Sequence, residues 1–352
     1  MSLRDELLRR FPLLAKLPAG CWVVGGAIRD LLLGVDPVDV DVAANDPAAA
    51  GRTVSTRLIR LGTEEHLSAW RAVVNGHAYD FAEILDHDIA ADLARRDFTV
   101  NSMAVSLDDG RFLDPHGGRR DLEGRLVRMV AAANFDDDPL RCVKAIRMAV
   151  RFDFEIDEAT VLAIRARADK VTSVAAERVT YELSVIFSVG RFRRAVKLLR
   201  ATGLDVPLFG HAIEPVYAAD DVTLAGAMAL MVDDPRAYAR RWRWSVGLLR
   251  EVSAIQALLR AKGDLRIPLY DAGESVARQF PAVLRAVGRD DRIPMPDFSI
   301  RALLSGEEIT EATGLPAGPE LGRIKRALLE AQIRGEVKTR DEAVRFATSA
   351  RP

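Results

Sequence analysis

The chain is poor in cysteine and in long apolar runs, and each shortage removes a class of protein. Two cysteines in 352 residues, Cys21 and Cys142, both lie in apolar stretches. They leave no disulfide framework and no Cys/His spacing for zinc, so buried, reduced thiols are expected. No apolar run approaches membrane-spanning length, and the opening residues Met1-Ser2-Leu3-Arg4-Asp5-Glu6 are charged, without the apolar core of a signal peptide. A cytoplasmic protein with no membrane partner is expected. A surplus of either charge is missing too. With a formal net charge of −1, a polyanionic partner would have to meet local basic patches rather than the field of the whole molecule. Tandem repeats, low-complexity tracts and long linkers are absent. What remains, 49% hydrophobic and 29% charged, is long enough for two or more domains.

The most informative stretch runs from Cys21 to Asp41. An apolar strand (Cys21 to Val24) leads into Gly25-Gly26, then into a short apolar helix that Gly34 can close, then into a second strand carrying Asp39 and Asp41. Paired glycines let backbone approach a ligand, and the N–H groups opening the helix carry partial positive charge, which suits a triphosphate. Arg29 adds a cation at the same end. In an extended strand residues i and i+2 share a face, so Asp39 and Asp41 aim at one point and can hold Mg²⁺, a hard ion that favours oxygen ligands. An isolated Asp-x-Asp after Asp36-Pro37 is usually a solvated turn; the Gly-Gly-x-x-Arg-Asp helix just upstream turns the reading toward a phosphate and metal site.

Further along, residues 1–18 read as an amphipathic lead-in helix broken by Pro12 and Pro18, and Pro47 to Leu61 as a second helix. A polar, poorly patterned segment comes next, from Gly62 to Trp70. Two short strands, Arg71 to Val74 and Ala78 to Ala82, flank Asn75-Gly76, a strong hairpin signal. Asp80 on the second strand either completes a carboxylate triad with Asp39 and Asp41 or is an ordinary exposed strand residue. A helix ending on Arg95-Arg96 precedes an alternating strand from Phe98 to Val105. Arg96, Asp97 and Asn101 sit where ribose and phosphates can be gripped, although two arginines at a helix C-terminus also complement its dipole.

From Asp136 the pattern turns helical. Leu140, Val143, Ile146 and Val150 form one apolar stripe, and Pro139 in the first turn fixes the helix start near Asp137 or Asp138. Asp138 and Arg141, three apart, share another side, with Arg147 further along. Cytosine and adenine each present an amino donor beside a ring-nitrogen acceptor, which a carboxylate and a guanidinium match; uracil and guanine mismatch both. Such a pair selects C and A without a nucleic-acid template. Otherwise it is a helix-surface ion pair of little worth. Downstream, Glu177-Arg178-Val179, the basic run Arg191 to Arg200, the stretch Arg236 to Arg243 with Trp242 and Trp244, and the basic helix Arg323 to Arg334 suit either RNA or ordinary helix surfaces and cores.

Taken in order, these stretches resemble the class II tRNA nucleotidyltransferase and bacterial poly(A) polymerase family, within the polymerase-β-like superfamily. Gly25-Gly26 through Asp41 is similar to its metal and triphosphate motif, and Arg95-Arg96-Asp97-Phe98-Thr99-Val100-Asn101 to its ribose-sensing motif. Asp137-Asp138-Pro139-Leu140-Arg141 resembles its amino-acid template, Glu177-Arg178-Val179 its neck motif, and Gly306 to Gly322 the tail that docks on the tRNA elbow. The resemblance implies an α+β fold of seahorse shape. It has a nucleotidyltransferase head over residues 1–135, a helical neck with the nucleotide-selecting motif over 136–200, a helical body over 201–265 and a helical tRNA-binding tail over 266–352.

The implied activity is addition of C and A, from CTP and ATP with Mg²⁺, to the 3′ end of tRNA; CC-addition, A-addition and poly(A) synthesis share the same motifs. Carried over by position, Asp39 and Asp41 hold metal and catalyse, with Asp80 the candidate third carboxylate. Gly25, Gly26, Arg29, Arg96, Asp97, Asn101, Asp138, Arg141, Arg147 and Arg178 bind nucleotide. Position 137 is Asp where the family more often has Glu, and the strand after Asp80 lacks an arginine that many relatives place nearby. A silent RNA-binding protein on the same fold is the alternative of another class, against which the intact Asp39/Asp41 pair argues.

Overall fold

A computed structural model describes residues 2–61, 69–214 and 217–350. By internal contact the chain divides into two units, Met1–Ile186 with Lys197–Ala212, and Phe187–Val196 with Ile213–Pro352.

The first unit is built on a seven-stranded mixed sheet of order β3-β4-β5-β2-β1-β6-β7. The strands are β1 (Trp22–Val24), β2 (Asp39–Ala44), β3 (Ile59–Leu61), β4 (Ala69–Val74), β5 (His77–Glu83), β6 (Ala104–Ser106) and β7 (Phe112–Leu113). β2 and β5 run parallel; the other pairings in this sheet are antiparallel. Its helices include α1 (Leu3–Arg10), α2 (Gly26–Leu32), α3 (Pro47–Val54), α4 (Ile89–Ala94), α5 (Gly118–Glu123), α6 (Asn134–Asp137), α7 (Leu140–Phe152), α8 (Glu158–Arg165) and α9 (Ala176–Ser188).

The alternation in β2 decides what each face of the sheet does. Val40 and Val42 point into a closed core, whereas Asp39 and Asp41 point out to solvent. Tyr79 and Phe81 of β5 are buried, and Phe11, just after α1, packs edge-on against Tyr79 at 5.8 Å. The carboxylate face is apolar only away from Asp39 and Asp41, where Trp22, Val24, Ala43 and Ala104 pack with Leu93 of α4. That face therefore offers a polar floor beside a dry support.

Local departures from the sequence reading have physical causes. The lead-in segment is two pieces, α1 and a 3₁₀ turn over Pro12–Lys16. The helix expected from Pro47 to Leu61 stops at Val54; Ser55 is extended, and Ile59–Leu61 pairs with β4 as an edge strand. Val54-Ser55-Thr56 are weak helix formers, and a free strand edge competes for the residues after them. Residues 62–68 of the polar segment lie outside the described residues, while Ala69 and Trp70 open β4. The strand expected from Phe98 to Val105 is a 3₁₀ turn over Thr99–Asn101, and β6 only begins at Ala104. Side-chain bonds hold that turn: Asn101 donates to Asp97 at 3.0 Å and Thr99 to buried Asp121 at 2.7 Å. The long helix starts at Leu140 with Pro139 as its cap, and Asp138 is extended between α6 and α7, because a residue before proline is driven out of the helical region. The apolar stripe on α7 is buried as expected, and both cysteines are buried and free.

The second unit is helical among the described residues, with Leu224–Met231, Pro235–Trp242, Val246–Arg260, Arg266–Ala272 and Glu274–Ala286. Gly306–Thr313, Pro319–Arg334 and Arg340–Ser349 enclose a core that includes Ile309, Ile324, Leu328 and Ala347. Trp242 is a core residue, buried against Tyr238 with Arg241 over its ring at 4.9 Å. No helix among the described residues is long and apolar enough to cross a membrane.

Candidate active site

β1 delivers the chain to Gly25, whose φ of +74° an L side chain rarely adopts. A Cβ there would sit 2.7 Å from Arg96 Nη1 and 3.5 Å from Asp41 Oδ2. Glycine is thus required twice, by backbone angle and by the closeness of two functional groups. α2 comes next, beneath a cleft of about 370 Å³ lined by Gly25, Gly26, Arg29, Asp39, Asp41, Arg96, Asp97, Asn101 and Arg147.

Register brings the carboxylates together. Val24 pairs with Asp41, and Asp41 with Asp80 on the parallel neighbour. Asp41 keeps solvent contact through the cleft mouth but is otherwise crowded by protein. Lost hydration, partly offset by Arg96 and reinforced by Asp80 and Asp39, pushes its pKa up to about 6. Asp80 is turned to its other neighbour: Arg71 of β4 donates to both of its oxygens, at 2.7 and 2.6 Å. Among the described residues no three metal-type side chains converge to hold an ion. Asp39 and Asp41 alone fit Mg²⁺ chemically, as a pair of hard oxygen donors whose shell substrate phosphates and water would complete.

Arg29, expected as a cation at the opening of α2, lines the cleft with its guanidinium held on several sides. It is buried, donates to Asp30 at 2.8 Å and to Asn101 at 2.6 Å, and lies 4.8 Å over the Phe152 ring. Asn101 in turn donates to Asp97. A continuous chain Asp30–Arg29–Asn101–Asp97 thereby fixes the carboxylate expected to touch ribose. Arg96 is held by Asp92 at 3.2 Å.

A second cavity of about 290 Å³ shares Arg96 and Asp97 with the first and adds Asp92, Arg95, Asp138, Arg141 and Lys144. Asp138 and Arg141 both line it but do not form the direct side-chain pair their spacing suggested. Asp138 accepts from Arg178 at 2.9 Å, with Lys144 at 3.9 Å, and Arg141 donates to the Asn134 carbonyl at 2.9 Å. With the backbone extended at Asp138, one carboxylate oxygen accepts from the Leu140 N–H that opens α7 and the other reaches Arg178 of α9. Arg147 lines the first cleft, its Nε 2.8 Å from Glu182 of α9 without a well-aligned hydrogen bond. Burial raises the Glu182 pKa, opposed chiefly by Arg147. Arg71, Lys144 and Glu182 were missed by the sequence reading. Arg71 alone had a local signal, since counting back from Asn75-Gly76 puts it opposite Asp80.

A family described as the poly A polymerase head domain matches residues 21–128, and one described as a probable RNA and SrmB-binding site of polymerase A matches 153–214. The CC-adding tRNA nucleotidyltransferase of Geobacter sulfurreducens is 30% identical over 93% of this chain and 91% of its own length. The chain belongs to the tRNA nucleotidyltransferase family. Another relative, the A-adding tRNA nucleotidyltransferase of Deinococcus radiodurans, is 29% identical over 97% of this chain and 98% of its own. The crystal structure of the Bacillus stearothermophilus CCA-adding enzyme in complex with CTP superposes with a TM-score of 0.76 at 25% identity, covering 99% of this chain and 98% of that one. The α+β fold expected for this family is the one found.

Proposed function

We propose that the chain adds C and A to the 3′ end of tRNA from CTP and ATP, without a nucleic-acid template, by in-line nucleotidyl transfer. The observation that carries this reading is the register that sets Asp39 and Asp41 beside Gly25, in a cleft that shares Arg96 and Asp97 with the cavity lined by Asp138 and Arg141. Phosphates, ribose and base of one nucleotide have successive places there.

Asp39 and Asp41 would hold Mg²⁺. When bound, it supplies positive charge for an attacking hydroxyl and a leaving pyrophosphate. The chain's own residues do the rest. Gly25-Gly26 admit the triphosphate close to backbone N–H groups, Arg96 offers it a cation, and Asp97, fixed by Asn101, faces the ribose hydroxyls. Asp138 accepts from the amino group of C or A while Arg141 donates to the adjacent ring nitrogen. U and G would leave both groups mispaired, and a buried mispaired polar group costs about 1–3 kcal/mol. Arg178 braces Asp138 from α9, and Arg147 adds a cation to the phosphate cleft from α7.

The deciding experiment offers tRNA ending before CCA, in C, or in CC, each with CTP, ATP or both, and maps the product 3′ ends. Stepwise C, C, A is expected. Products stopping at CC, starting only from CC, or running to poly(A) would each replace CCA addition by the corresponding narrower activity. No transfer with Mg²⁺ would leave an RNA-binding protein.

A further inference from the structure

Two paired side chains on the carboxylate face, Arg71 and Asp80, have no part in that reaction. Arg71 of β4, Asp80 of β5, Asp41 of β2 and Val24 of β1 are consecutive register partners, so they form one row across four strands and project from one face of the sheet. The triphosphate end of the cleft is at Gly25 and α2, on the β1 side of Asp41. Arg71 lies on the other side, two strands and roughly 10 Å of backbone from β2.

In-line displacement gives that asymmetry a meaning. The nucleophile must enter opposite the departing pyrophosphate. With pyrophosphate over Gly25 and α2, the RNA 3′ end has to come in over β5 and β4. A polyanion approaching there meets Asp39, Asp41 and Asp80, three carboxylates that would repel it. Arg71 places a cation in that path. Its Nε and Nη2 are spent on Asp80, which leaves Nη1 outside the pair, and its side chain is 41% exposed. The bidentate grip fixes the fork, so little freedom would be lost on binding a second anion.

We propose that Arg71 binds a backbone phosphate of the incoming RNA next to its reacting 3′ end, and that Asp80 is the positioning residue that braces it. The inference rests on the in-line reading of Asp39 and Asp41. It gives Asp80 a task distinct from metal binding.

Arg71→Ala, Arg71→Lys and Asp80→Asn are compared with the wild-type chain for nucleotide addition and, separately, for binding of a labelled tRNA lacking CCA over a series of salt concentrations. Arg71→Ala is expected to raise KM for RNA roughly tenfold while changing KM for CTP less than twofold. It should also flatten the dependence of log K on log salt by about 0.7, one phosphate contact on a single strand. Arg71→Lys should restore most of the affinity and Asp80→Asn should fall between. A mere surface ion pair would move the melting temperature and leave the RNA KM and salt slope where they are; that result overturns the proposal, as does an equal rise in both KM values. Wild-type chain that transfers nothing refutes the reaction reading, and the salt-dependent RNA binding of Arg71→Ala then judges Arg71 by itself.

Discussion

The Asp138 carboxylate accepts a hydrogen bond from the Arg178 guanidinium at 2.9 Å, across forty residues of sequence. The group expected to read the base is thereby oriented from α9, while Arg141 lines the same cavity with one N–H given to the Asn134 carbonyl.

Removing that brace has a specific signature. Arg178→Ala should cost discrimination of C and A against U and G by about tenfold in kcat/KM, the scale of one charged hydrogen bond, with smaller loss for the correct nucleotides. Arg141→Ala should cost more, since it removes a reading group outright. Misincorporation of UTP and GTP measures both; unchanged selectivity in Arg141→Ala would refute the base-reading role.

Asp39→Ala and Asp41→Ala should abolish incorporation and leave tRNA binding within about twofold. Gel-shift titration beside a labelled-CTP assay checks this, and full activity in either variant would defeat the metal assignment.

The raised pKa of Asp41, about 6, carries a stability consequence with a definite sign. The folded, ion-free chain holds that proton more tightly than the unfolded chain, so ionisation opposes folding as pH rises through 6. In chelator, Asp41→Asn should therefore melt a few degrees higher than wild type at pH 7.5, with the gain shrinking as pH falls toward 4. A difference independent of pH would show that crowding around Asp41 is not the cause.

Gly25→Ala should be inactive and destabilised by on the order of 1–3 kcal/mol for the strained backbone, because its Cβ would displace Arg96. Chemical denaturation with a parallel activity assay reads both effects.

Burial pushes the Cys21 thiol up to about 11 and Cys142 to about 12. Neither should react with a thiol reagent at pH 8 until denaturant is added.

Much of the site was legible because its signals are local. The Gly25-Gly26 turn, the alternate Asp39 and Asp41 and the Asn75-Gly76 hairpin each declare themselves within a few residues. Arg71 opposite Asp80 was equally within reach, since a two-residue turn sets the register of everything behind it. The Asp138–Arg178 and Arg147–Glu182 contacts were not, since they depend on how α7 meets α9, which no spacing in the chain encodes. The 3₁₀ turn at Thr99–Asn101 misled for a related reason: its alternation is that of a strand, but Asp121, twenty-two residues on, holds Thr99 in a turn.

The flat guanidinium of Arg29 serves Asp30, Asn101 and the Phe152 ring at once. Lysine, a round ammonium on a supple stem, offers no plane to rest on an aromatic face and no fork to split between two acceptors. At this position a swap that keeps the charge would be as harsh as one that removes it, and charge alone is a poor guide to what the chain tolerates.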